Sequence, residues 1–124
     1  MKVNIIKDLI GKTFDEVYVV KNEDTGDQEE LHFKNKTEHY YFFHEQDCCE
    51  KVFIYDICGN IFDLQGSEII EAEEAIGKNI YDNNLVSVTW TFYKFRTQNG
   101  CVVVRWLGES NGYYSEHVDF KKIE

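Results

Sequence analysis

The chain has 124 residues, 43% of them hydrophobic and 15% aromatic, which suits one domain with a buried core and excludes disorder. Its formal net charge of −10 excludes a general binder of DNA or RNA polymers, which would be basic. Eight glycines and no proline leave turn-making to Gly, Asn and Asp.

The opening stretch MKVNIIKDLIGKTF has no long apolar run and no small-residue cleavage site. No segment approaches the roughly 20 apolar residues of a membrane span, so a cytoplasmic protein away from the membrane is expected. Asn4 is placed to cap a short helix with Ile5, Ile6, Leu9 and Ile10 on one face and Gly11 at its end. A strand is expected from Phe14 to Val20, then a carboxylate-rich hairpin tip at 21–30. Further strands are expected at 30–34 and 38–44, joined by a turn at Asn35–Thr37. The continuous run Tyr40, Tyr41, Phe42, Phe43 implies burial on both faces or an interface. After HEQDCCE (44–50) come a strand at Lys51–Ile57, a turn at Gly59-Asn60 and the short apolar Ile61–Leu64.

A second helix is expected after Ser67, an N-cap residue, with Glu68 at the positive end of the dipole. Ile69, Ile70, Ala72, Glu73 and Ile76 form its stripe, and Gly77 ends it. The polar stretch 78–85 then carries Asn83 and Asn84, whose amides suit a sugar or a base edge, and leads into the last third of the chain. The last strand is expected at Tyr113–Phe120, turned back by Asn111-Gly112. The sum is a single α+β domain spanning 1–124: a meandering antiparallel sheet of about seven strands with two short helices.

Residues 87–115 hold both tryptophans and the only two arginines. Asn99-Gly100 lies between two β-type runs and fits a two-residue hairpin turn. Trp90, Phe92, Lys94, Arg96, Val103, Arg105 and Leu107 then share one face, and Thr91, Tyr93, Phe95, Val102, Val104 and Trp106 the other. A three-residue loop with a bulge at Gly100 would put Arg96 and Arg105 on opposite faces. In the first register a ring from Phe92 or Trp90 stacks a base, while Arg96, Lys94 and Arg105 hold phosphates. The competing reading of this patch is cation–π packing with ion pairs to Glu109 and Glu116.

Cys48, Cys49, Cys58 and Cys101 read as reduced thiols buried as small hydrophobes. No C-x-x-C occurs and nothing completes four ligands around His44 and Cys48, so no metal is expected. A cysteine hydrolase built on His44 and Cys48 or Cys49 lacks a Gly-rich oxyanion turn. Asp47 or Glu50 reads as a turn cap or as half of a buried pair. His32, His39 and His117 read as partly exposed strand residues. Phosphate loops are absent, no cofactor is implied, and a binder rather than an enzyme is expected. The alternatives are a small acidic inhibitor acting by direct protein contact, and a cysteine-dependent hydrolase or metal protein.

HEQDCCEKVFIYDICG (44–59), SVTWTFYK (87–94) and RWLGESNGYYSE (105–116) resemble the first class of Thoeris anti-defence proteins, a family of small phage and prophage proteins. With 61–76 the resemblance covers most of the chain. It implies a sponge that binds, without cleaving, the cyclic ADP-ribose isomer made from NAD by a TIR enzyme in the bacterial cytoplasm. It also implies a homo-oligomer, dimer or hexamer, with ligand in recesses between protomers, and in some members cyclic oligonucleotides at separate sites. Phe92 and Arg105 stand at family-like positions. Lys94, Arg96, Asn83 and Asn84 rest on the reading of the residues alone.

Overall fold

Period-two burial runs through residues 39–43, 51–55, 89–97 and 101–106, and nearly all of the regular structure described is strand. The computed structural model describes residues 5–80 and 86–123. Its strands are β1 (Glu16–Lys21), β2 (Gln28–Lys34), β3 (His39–Phe43), β4 (Lys51–Cys58), β5 (Glu71–Ile80), β6 (Ser87–Thr97), β7 (Gly100–Ser110) and β8 (Asp119–Lys122). All join one antiparallel sheet ordered β5-β6-β7-β4-β2-β3-β8, with β1 paired to β2. The described helical structure is two 3-10 turns, Ile6–Leu9 and Ile61–Leu64. The fold is therefore mainly β, which corrects the expected α+β class.

The inner face of the β6–β7 hairpin is the core wall. Tyr93, Phe95, Val102, Val104 and Trp106 are fully buried, as the alternation of that segment requires. The sheet curls until β3 and β6 face one another across the core. The Phe42 ring lies 4.6 Å from Tyr93, and Phe33 lies 5.0 Å from Phe95. Leu9, Phe14 and Leu64 fill the remaining space. Burial of each such large side chain contributes about 1.5–3 kcal/mol. The aromatic run of β3 divides by face: Tyr40 and Phe42 are buried in the core, while Tyr41 and Phe43 are half-buried on the outside.

Neither expected helix forms. The first is cut to Ile6–Leu9 because Gly11 (φ 88°) turns the chain into backbone pairing with the stretch before β5. Gly11 N–H donates to the Ile69 carbonyl and Ile69 N–H to that of Lys12. The second expected helix is strand β5. Its ten residues pair with β6 from Glu71↔Arg96 to Ile80↔Ser87, with Ala72 turned into the core. Glu and Ala favour a helix in isolation, but a ladder along the edge of β6 overrides that preference. Ser67 accepts a hydrogen bond from Asn99 Nδ2 at 2.6 Å instead of capping a helix.

The expected final strand is also relocated. β7 is already flanked by β6 and β4, so nothing can pair with it after Asn111-Gly112. The chain crosses irregularly, and β8 joins the free side of β3 through Phe42↔Phe120. Gly108 lies where this crossing passes: a Cβ there would come within 2.8 Å of Glu116 Cβ and 2.9 Å of its carbonyl oxygen. Gly108→Ala is expected to destabilise the fold by about 1–3 kcal/mol in urea unfolding. Gly77→Ala, which meets no atom within 4 Å, should stay within about 0.5 kcal/mol.

Candidate functional site

The outward face of β6 and β7 carries Trp90, Phe92, Lys94, Arg96 and Arg105, as the two-residue turn requires. The turn itself sits elsewhere. Thr97 pairs with Gly100, so Gln98 and Asn99 are the loop and every cross-strand pair slides by two residues from the expected register. A slip of two preserves the faces but changes the neighbours. The Asn99-Gly100 register would set Lys94 opposite Arg105, two like charges face to face. In the observed register Arg105 is opposite Phe92 and Lys94 is opposite Val103. Asn99 holds this turn, its backbone N–H donating to Thr97 Oγ1 and its amide to Ser67.

Arg105 is the centre of the patch. Its Nε donates to Asp56 Oδ1 at 2.6 Å and its Nη2 to Asp56 Oδ2, a bidentate pair. The guanidinium also lies 5.7 Å from the centre of Tyr55 and 5.8 Å from that of Trp90. Tyr55 meets Trp90 edge-on at 5.2 Å, and Trp90 runs nearly parallel to Phe92 at 6.2 Å. The hydrogen bond from Arg105 holds the Asp56 carboxyl below its usual range, and Asp56 pushes Arg105 upward in turn. Tyr55 is 55% exposed, whereas Trp90, Phe92 and Arg105 are half-buried. The result is a row of three rings with a fixed guanidinium beside it.

Lys94 and Arg96 are fixed by another carboxylate. Arg96 Nε lies 3.0 Å and Lys94 Nζ 3.3 Å from the two oxygens of Glu71 on β5. Arg96 first, then Lys94, lowers the Glu71 pKa. Thus Asp56 and Glu71, not Glu109 and Glu116, partner the cations of this face. Glu116 is buried and accepts from Thr89 Oγ1 at 2.7 Å and from Ser110. Asn83 and Asn84 lie outside the described residues.

Three members of the patch escaped the sequence reading. Strict alternation sends Tyr55 and Asp56 to opposite faces; a bulge between Ile54 and Asp56 brings both beside Arg105. No local signal marks it. Glu71 was hidden by the helical reading of its segment.

The loop 44–50 is a separate polar centre. Glu50 is buried, and its carboxylate accepts from His44 Nε2 at 2.6 Å and from the backbone N–H groups of Asp47 and Cys48. Burial pushes its pKa up, but the N–H of Cys48, then His44 and Asp47, outweigh that and hold it at about 2. Glu50 is thus both the turn cap and the buried partner. The other ring nitrogen of His44 faces the His117 carbonyl at 2.7 Å, so its ring addresses no thiol. Cys48 and Cys49 are joined as a vicinal disulfide, and Cys58 and Cys101 are exposed. Both findings correct the expectation of buried, reduced thiols. A cavity of about 580 Å³ adjoins this loop, lined by Asp27, Glu29, Glu50, Lys51 and Phe53 among others.

His32 is 7% exposed rather than a partly exposed strand residue, stacked between Tyr18 at 4.8 Å and Tyr41 at 5.1 Å. Its two nitrogens lie 2.7 Å from Glu30 and 2.7 Å from His39. Burial, His32 and Lys34 together lower the His39 pKa from 6.5. The unfolded chain therefore takes up the proton more readily, so this contribution is complete above about pH 6.5 and is lost as the pH falls through the folded value. The thermal midpoint is expected to fall between pH 7 and pH 5, and by less in His39→Gln. Glu50 and Glu38, both held at about 2, keep their contributions down to pH 4.5 and do not act in that window.

Among the described residues no group of three or more His, Cys, Asp and Glu side chains is arranged to hold a metal, and no helix is long and apolar enough to cross a membrane. No curated protein and no solved structure matches the chain. One family model does, described as a domain of unknown function (DUF7448), and it matches residues 7–120. The chain belongs to the DUF7448 family.

Proposed function

We propose that this protein is a phage-encoded binding protein that sequesters a cyclic ADP-ribose isomer made by a TIR enzyme, and thereby silences Thoeris immunity without degrading the signal. The observation that supports this reading is the shared outward face of Tyr55, Trp90, Phe92 and Arg105. Partly exposed rings offer an adenine a stacking surface, and a guanidinium held by Asp56 keeps donors for a phosphate oxygen. Its position is set before ligand arrives, which reduces the ordering cost of binding. The sequence resemblance points to the same ligand class and to a homo-oligomer, dimer or hexamer, with the platform as one wall of a recess between protomers. Cyclic oligonucleotides at a second site belong to the same expectation.

Calorimetry with the cyclic ADP-ribose isomer is expected to show nanomolar binding, and mass spectrometry of heat-released ligand should find it intact. Recovery of a hydrolysed product would sink the sponge in favour of an enzyme. Arg105→Ala should weaken binding by about 10- to 100-fold while leaving the melting transition in place. Trp90→Ala should lose about tenfold or more through stacking. Unchanged affinity in both variants would remove this face from the site.

A further inference from the structure

The platform is an anion site with little net charge. Across the outward face of β4 to β7, Lys94, Arg96 and Arg105 stand against Asp56, Glu71 and Glu73. Asp56 takes two of the guanidinium's donor groups, and Glu71 is shared by the other two cations. A site built to collect anionic charge would leave such cations free. Here the bulge at Tyr55 brings a carboxylate onto Arg105, which among the described residues is the cation that touches the aromatic row. The carboxylate can both aim the guanidinium and limit the charge the site accepts.

The geometry points to Asp56 as a positioning and specificity-determining residue that selects nucleotides whose phosphates are all doubly linked, as diesters or internal anhydrides, over those carrying a terminal phosphate. Each linked phosphate carries about one negative charge, while a terminal monoester carries about −1.5 to −2 near neutral pH. That extra charge would sit close to the carboxylates of Asp56 and Glu71. A pyrophosphate closed within a ring meets Arg105 without it. The platform thereby disfavours nucleoside mono- and triphosphates relative to a cyclic dinucleotide-like signal. This inference rests on the ligand class proposed above and names what that class excludes.

The test compares cyclic ADP-ribose with its 2′-phosphate, a pair differing by one phosphomonoester, by calorimetry at low and moderate salt. The wild-type protein is expected to bind the unphosphorylated ligand about fivefold or more tightly, the worth of one like-charge contact in water. Asp56→Asn keeps an oxygen acceptor for Arg105 but removes the charge, and should shrink that preference by about fivefold, more so at low salt. Asp56→Glu should restore it. Melting curves report folding, and Glu71→Gln, which removes the neighbouring charge, serves as the second variant. Equal wild-type affinity for the two ligands overturns the inference, as does equal weakening of both by Asp56→Asn. Either result leaves the proposed ligand class standing. A wild-type protein that binds neither removes both.

Discussion

The two-sidedness of the β6–β7 hairpin is the constraint on which the rest of this structure depends. Each side chain on these strands is committed either to the core or to the outer face, because a shift by one residue would exchange the two sets. Core packing pays for the choice: Tyr93, Phe95, Val102, Val104 and Trp106 are buried together, and β3 closes over them through Phe42. Trp90, Phe92 and Arg105 are therefore held outward by the same packing that stabilises the fold. The platform needs no loop to keep its shape.

Edges decide the remaining topology. β6 and β7 each use both sides, β6 for β5 and β7, and β7 for β6 and β4. The segment after β7 must then cross to β3, and this crossing packs Glu116 against Gly108 and hydrogen-bonds it to Thr89. The ladder along β6 turns a helix-prone segment into β5. That strand supplies Glu71 to the outward face, so the relocated element and the neutralised platform have one origin.

Carboxylates do different work in different settings here. Glu50 is buried and gathers the backbone of loop 44–50 around itself, with His44 as its partner. Asp56 and Glu71 lie on the outer face and hold cations in place. Glu38 ties Lys12, Tyr40 and Lys122 together across the N-terminal segment, β3 and β8. A chain with a net charge of −10 thus spends several acids on internal structure, leaving fewer as undifferentiated surface charge.

The sequence by itself determined which side chains of the hairpin face the core, because alternation is local and the apolar set there is nearly pure. It also put Phe92, Lys94 and Arg96 on one face of their strand but left two turns open for Arg105, of which the structure chose the two-residue loop that keeps parity and brings Arg105 to that face. It placed most strands between Glu16 and Cys58 and anticipated a structural role for Glu50. Tertiary structure alone decided the exact partners: Arg105 opposite Phe92, Thr97 opposite Gly100, and β8 beside β3. It decided the state of 71–80, where a partner strand outweighs local propensity. It also decided the bulge that brings Tyr55 and Asp56 to Arg105. These features arise from competition among distant segments for the same edges and the same charges, and no local pattern in the chain encodes its outcome.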